Sequence, residues 1–376
     1  MLHSERIQQL RIDVNKTTMP LFRGFKGRIP NLRILRVYLI ANNVPKVDVF
    51  ENAPALRQVT LWGDSSVRVL LPWSQITYFE EQLRGERVGN FVPLSSLRSL
   101  TNLYIDKPPY YGDESATPYR QTTLPNLRIL KVKTHTDKNL KVGLFLESLT
   151  IPAVEDMKIL HMAPLIPHLV SMFSGSRGPS RLQRLTLGTI RLQTGELSAL
   201  LLLTPHLVEL DIGIPPTADL LRFIYGEGEV ILVPMLQALY IRIPGLTTVA
   251  VAQIEHFNTL ARIRCELASS KDLDDATTLS LGSGTRTCQW TTLHTLRFIF
   301  DLSGSRNTSQ KRLNNWSSSY TMEEAKAIDI FSRCCNRDCI RDQSFLKTIL
   351  SYIECYEITN NVLLVSLLWI SGGFSH

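Results

Sequence analysis

The segment PNLRILRV (Pro30–Val37) recurs nearly verbatim as PNLRILKV (Pro125–Val132), and the frame they share, Pro-x-Leu-x-x-Leu-x-Val, appears six times in the chain. The other four copies are PALRQVTL (Pro54–Leu61), PAVEDMKI (Pro152–Ile159), PHLVELDI (Pro205–Ile212) and PMLQALYI (Pro234–Ile241). The alternation in Leu-x-Val puts two side chains on one face of a strand. The leucine three residues upstream points into the same core. Proline fixes φ and has no N–H, so it stands before the strand and not within it. One strand of this length cannot bury its apolar face alone, whereas stacked copies can.

Looser copies extend the series: IQQLRI (Ile7–Ile12), LTNLYI (Leu100–Ile105), LQRLTL (Leu182–Leu187) and LHTLRF (Leu293–Phe298). Counted between last apolar positions, most copies lie 24 to 29 residues apart, and two gaps of 44 and 57 residues each have room for two units. Ile76–Glu81 (ITYFEE) fits a degenerate copy in the first gap. The second contains Thr248–Cys265, the longest helical pattern. Ala163–Phe173, Glu196–Leu203 and Ala218–Tyr225 also have helical length and heavy leucine content. The expected fold is therefore α/β: an irregular leucine-rich-repeat solenoid, with a curved parallel sheet and helices on the convex side. A doubly wound sheet alternates strand and helix as well. Against it, the strands carry one common frame and none is followed by a Gly-rich phosphate loop.

The repeats occupy residues 1–302. Residues 303–376 read as a polar linker (Ser303–Ser319), a capping helix and a tail without repeats. The helix is opened by the capping box Thr321-Met322-Glu323-Glu324 and runs to about Arg333. Lys107–Gln121 and Ser269–Thr292 read as exposed loops.

Hydrophobic residues make up 44 % and charged residues 20 %, a globular balance able to fill a large core. The net charge of +7 is spread along the chain, and its densest local cluster, Arg23, Lys26 and Arg28, reads as solvated surface. All six cysteines lie from Cys265 onward, and the polar start MLHSERIQQL has no secretory character. Reduced thiols in the cytoplasm or nucleus are the expectation, which leaves the sequons at Asn15, Asn307 and Asn315 idle. The longest apolar run, Val362–Ile370, falls short of the roughly 20 residues a membrane span needs.

No catalytic, cofactor or metal site is expected. Cys334, Cys335 and Cys339 offer one usable pair, with only Cys355 in addition, while zinc takes four ligands. The eight histidines show no His-x-x-x-His spacing. No Gly-x-Ser-x-Gly elbow occurs, and Gly282-Ser283-Gly284 lacks the Gly-Lys-Ser/Thr of a phosphate loop.

FENAPALRQVTL (Phe50–Leu61), LPWSQIT (Leu71–Thr77), LLLLTPHLVELDI (Leu200–Ile212) and LNNWSSSYTMEEAKAI (Leu313–Ile328) together resemble the repeat region of fungal F-box proteins with leucine-rich-repeat-like C-terminal halves. The resemblance spans roughly residues 1–330. It implies a non-enzymatic substrate receptor of a cullin ubiquitin ligase. In that family an N-terminal F-box docks a Skp-type adaptor, and the repeats recruit the protein to be ubiquitinated. Two departures stand out. The F-box segment is absent from this chain, whose first strand frame begins at Ile7, so adaptor and cullin enter only with an F-box upstream. The Asn or Cys three residues past each strand is also missing except at Asn15, so the usual backbone-bonding ladder is not expected.

The strand residues opposite the core leucines point outward across the concave face. They include Arg36, Tyr38, Trp62, Tyr104, Lys131, Lys133, Lys158, Tyr240, Arg242 and Arg297. Aromatic and arginine side chains are enriched at binding hot spots, and Trp62 is the sharpest case. Lysines side by side suit an acidic or phosphorylated peptide. The function expected is protein recognition on this face by a ubiquitin-ligase substrate receptor. A free-standing scaffold without ligase link is the alternative, and a basic nucleic-acid-binding solenoid the less favoured one.

Overall fold

The computed structural model describes residues 4–15, 17–39, 46–63, 69–82, 94–106, 121–133, 141–160, 165–176, 180–188, 192–225, 232–243, 295–301, 355–359 and 362–368. The chain divides into two units, Met1–Ile190 and Arg191–His376.

In the first unit each copy of the frame ends in a strand. These are β1 (Gln9–Val14), β2 (Ile34–Leu39), β3 (Gln58–Gly63), β4 (Tyr78–Gln82) and β5 (Asn102–Asp106). After a two-residue strand β6 (Thr122–Thr123) come β7 (Ile129–Lys133), the short β8 (Leu149–Thr150), β9 (Asp156–Leu160) and β10 (Arg184–Leu187). The main strands pair in parallel in the order β1-β2-β3-β4-β5-β7-β9-β10. The order follows the chain without the reversal at which doubly wound sheets place their ligands. The degenerate copy ITYFEE takes its place as β4, between β3 and β5.

A single turn explains the proline. Each frame proline is the second residue of a four-residue turn, closed by the N–H of the first frame leucine. Leu32 N–H donates to Ile29 C=O at 3.3 Å, and Leu56 N–H to Ala53 C=O at 3.1 Å. The same bond runs from Leu127 to Leu124, Val154 to Ile151, Leu207 to Thr204 and Leu236 to Val233. Proline is pre-set for that position of a type I or II turn. The leucine it delivers is fully buried at Leu32, Leu56, Leu127, Leu207 and Leu236.

Most of the positions where the usual Asn or Cys would stand lie outside the described residues. A ladder of a different kind joins the repeats, through the carbonyl one residue before each strand. Gln8 C=O accepts from the N–H groups of both Arg33 and Ile34, Arg33 C=O from Arg57 and Gln58, and Arg57 C=O from Thr77 and Tyr78. The pattern continues through Thr77, Thr101, Arg128 and Glu155. Its repeating donors are main-chain N–H groups; only at two rungs does a side chain join them, Thr77 Oγ1 donating to Arg57 C=O at 3.3 Å and Thr101 Oγ1 to Thr77 C=O at 2.9 Å. Asparagine contributes elsewhere: Asn31 Nδ2 donates to Glu5 C=O at 2.7 Å and Asn126 Nδ2 to Arg98 C=O at 3.0 Å, each reaching the preceding repeat. Asn15, the one residue at the usual ladder position, instead closes a local turn by accepting from Thr17 and Thr18 N–H.

The connections vary. α1 (Met19–Phe22) is a single turn, whereas α2 (Lys141–Glu147) and α3 (Ile166–Ser174) are fuller helices. α3 matches the helix read at Ala163–Phe173. Elsewhere short parallel pairings replace helices, at Val47 with Val69 and at β6 with β8.

The second unit holds α4 (Glu196–Leu202), β11 (Glu209–Gly213), α5 (Thr217–Tyr225), β12 (Ala238–Ile243) and β13 (Thr295–Asp301). β11, β12 and β13 pair in parallel. β15 (Val362–Leu368) then adds to β13 antiparallel, and β14 (Cys355–Thr359) adds to β15. The apolar run of the tail is thus a strand. The helix read at Thr248–Cys265 and the capping helix from Thr321 lie outside the described residues.

Candidate partner-binding face

Burial alternates along the main strands of the first unit, as a sheet with one covered face requires, except on β3, where outward-facing Thr60 is also buried. Two inward rows form the core. One runs Leu35, Val59, Phe79, Leu103, Leu130, Met157 and Leu185; the other Ile12, Val37, Leu61, Glu81, Ile105, Val132, Ile159 and Leu187. Glu81 is the exception, a carboxylate only 2 % exposed within an apolar ladder.

The outward rows carry the expected site residues. The central row reads Arg11, Arg36, Thr60, Glu80, Tyr104, Lys131, Lys158 and Thr186. The row toward the strand ends reads Asp13, Tyr38, Trp62, Gln82, Asp106, Lys133 and Leu160. Tyr38 and Trp62, paired in register on β2 and β3, stack with ring centres 4.1 Å apart and planes 5° from parallel. The Arg11 guanidinium lies 4.7 Å from the Tyr38 ring centre. On the other side Tyr78 and Tyr104 meet at 5.1 Å, and Lys131 Nζ sits 4.8 Å over Tyr104. Such stacking and cation–π contacts hold side chains upright on an open face.

Between the two ring pairs lies an open groove of about 360 Å³ lined by Ile34, Arg36, Tyr38, Gln58, Thr60, Trp62, Tyr78 and Glu80. Glu80 is fixed by three donors: Tyr78 Oη at 2.9 Å, Gln82 Nε2 at 2.7 Å and Thr60 Oγ1 at 3.5 Å. Burial pushes the Tyr78 phenol well above its ordinary pKa, and the hydrogen bond to Glu80 pushes it further the same way. Sequence reasoning singled out Arg36, Tyr38, Trp62 and Tyr104 here but missed Tyr78 and Glu80. Both lie in the degenerate copy, where the frame that locates outward positions is weakest.

Lys131 and Lys158 sit opposite each other on β7 and β9, and Lys133 follows in the next outward row. Lys133 faces Asp106 across β5 and β7 in register. In the second unit, Arg242 is committed: its guanidinium donates to both oxygens of Asp211, at 2.7 and 2.5 Å. Tyr240 pairs in register with Asp211 on β11 and with Arg297 on β13. The side chain of Arg297 lies outside the described residues. The basic cluster near the N-terminus is also partly paired, because Lys26 bonds Asp48. That bond raises the Lys26 pKa and lowers that of Asp48.

Among the described residues no group of acidic, histidine or cysteine side chains is arranged to hold a metal ion. No described helix is long and apolar enough to cross a membrane. The chain matches no family model and no curated protein.

Proposed function

We propose that the chain is a protein-recognition module that binds its partner on the outward sheet face around Tyr38, Trp62, Tyr78 and Tyr104. The observation that carries this reading is the groove between two ring pairs on an otherwise solvent-facing sheet. Large rings held at low entropic cost are the usual anchors of protein interfaces. The in-order parallel strands, the recurring proline turn and the carbonyl ladder support an irregular leucine-rich-repeat solenoid as the scaffold. On the resemblance to fungal F-box proteins, the module is the substrate-recruiting part of a ubiquitin-ligase receptor and performs no chemistry itself. Asp13, Glu80 and Asp106 interrupt the basic residues of the face, which favours a protein partner over a polyanion.

The test compares the tagged chain with its Trp62→Ala and Tyr104→Ala variants in cells, after crosslinking. A hot-spot ring is worth at least about 2 kcal/mol, or roughly 30-fold in affinity. Proteins captured by the parent should be lost from both variants, and their half-lives should lengthen when cullin activation is blocked. Loss of capture with unchanged half-lives would leave a free-standing scaffold. Retention by both variants would sink the recognition face itself.

A further inference from the structure

The central outward row has a charge order that specifies more than a generic protein surface. Along it Arg36 stands on β2, Glu80 on β4, and Lys131 with Lys158 on β7 and β9. The signs run positive, negative, positive. The adjoining outward rows do not repeat this order. Lys133 faces Asp106 in register, and Arg184 reaches Asp156 at 3.5 Å.

The spacing is set by the sheet. Neighbouring strands lie ~4.8 Å apart, so Arg36 and Glu80 are separated by about 10 Å, and Glu80 lies about 12 Å from the midpoint of Lys131 and Lys158. An extended chain crossing the strands advances ~3.3 Å per residue and covers those spans in about three and about three to four residues.

Glu80 has the setting of a cation acceptor. Its three donors fill three of the roughly four acceptor directions of a carboxylate. They fix its position and leave one direction and the charge for a ligand. Trp62 and Tyr78 line the same groove, with Arg36 at its β2 side, and aromatic walls beside a carboxylate suit an ammonium or guanidinium group. Lys131 and Lys158, paired across two strands, suit a carboxylate or phosphate.

Resting on the recognition reading above, we propose that the partner is engaged through a linear segment with a central Lys or Arg flanked by acidic or phosphorylated residues. The cation enters the groove at Glu80. One anion lies about three residues away at Arg36, and the other three to four residues away on the opposite side, at Lys131 and Lys158. This narrows the expectation of an acidic or phosphorylated peptide, since Glu80 suits a positive charge between the two anions.

The experiment is selection of a phage-displayed random dodecapeptide library on the purified full chain. Enriched peptides should carry Lys or Arg with Asp or Glu at the stated distances on both sides. The Lys131→Glu/Lys158→Glu variant should select a basic residue in place of the second acid. Glu80→Gln, checked for folding by circular dichroism, should lose the central cation and weaken a synthetic enriched peptide by about tenfold or more. Peptides without this pattern, or the same peptides on the charge-reversed variant, would overturn the proposal. So would an absence of enrichment with salt-dependent binding of a single-stranded oligonucleotide. The two readings fail separately. If Trp62→Ala releases the cellular partner while the charge variants retain it, the recognition face stands and the charge code falls.

Discussion

Asp219 offers the most direct test of how the helical layer of the second unit is held. It is fully buried, yet it belongs to α5 and serves α4. Both of its carboxylate oxygens accept from Gly195 N–H at 2.9 Å, and Oδ1 also accepts from Ser198 Oγ at 3.1 Å. Gly195 is the N-cap of α4 at φ +89°, a conformation that suits glycine, and it has no side chain to cap the helix itself. The carboxylate of the neighbouring helix instead holds the N–H of the N-cap residue itself and the Ser198 hydroxyl in the first turn. Replacing Asp219 by Ala removes two charge-assisted bonds, each worth about 1.5 kcal/mol or more, and leaves the Ser198 hydroxyl buried. The expected loss is about 3 kcal/mol of local stability at the start of α4. A chain of two units need not unfold in one step, so hydrogen exchange is the suitable assay. Exchange of the first α4 amides should accelerate by roughly 100-fold at neutral pH. Asp219→Asn keeps one acceptor and should cost about a third as much. If Asp219→Ala accelerates exchange less than about threefold, these cross-helix bonds contribute nothing and the account of α4 is wrong.

Three further outcomes follow from the first unit. A methyl group at Gly143 would lie 2.2 Å from the His168 ring, which is itself fixed by Glu147 at 2.8 Å. Gly143→Ala should lower the thermal midpoint, and His168→Ala in the same chain should restore most of it, whereas independent effects would add. Leu56→Ala, at a fully buried turn leucine, should cost about 2–5 kcal/mol in urea unfolding; a cost below about 1 kcal/mol would show that the frame leucine is not a core residue. The raised Tyr78 pKa stabilises the fold fully below the ordinary phenol value, and that contribution fades as pH rises through it toward the higher folded value. Alkaline titration of phenolate absorbance should show one late tyrosine, absent in Tyr78→Phe; an unchanged titration would place the phenol in water.

The strands were legible because their determinants are side chains at fixed spacing: proline, a leucine, then alternation. The outward positions followed from the same alternation, which is why Tyr38, Trp62 and Tyr104 could be named. The carbonyl ladder was not legible, because its acceptors and its repeating N–H donors are main chain. The copy at β4 was only faintly visible. It lacks the frame proline and places Glu81 where the other copies place an apolar side chain. Other contacts compensate there: Gln75 Nε2 donates to Ala53 C=O at 2.8 Å and Leu56 C=O at 3.1 Å, and Trp73 packs edge-on against Phe79 at 5.6 Å. Compensation of this kind is spread over unrelated residue types, and no periodicity reports it. The same weakness hid Tyr78 and Glu80, so the poorest copy of the repeat contributes the centre of the groove.

That coincidence has a physical basis. In each regular copy the fold constrains the proline, the turn leucine and the two inward positions, and the backbone supplies the remaining bonds. The frame itself fixes no outward position, so outside the ring pairs and the hydrogen bonds to Glu80 these positions can hold any residue that tolerates water. A side-chain ladder would have claimed one polar position in every repeat and imposed uniformity. With a main-chain ladder, neighbouring strands are free to present a ring, a carboxylate or a lysine in the same register row. The alternating charge order of Arg36, Glu80, Lys131 and Lys158 depends on that freedom. A charge code of this kind can therefore be rewritten on strands outside the ring pairs, and exchanging Lys158 on β9 with Thr186 on β10 should change the peptide selected while leaving the unfolding midpoint in place.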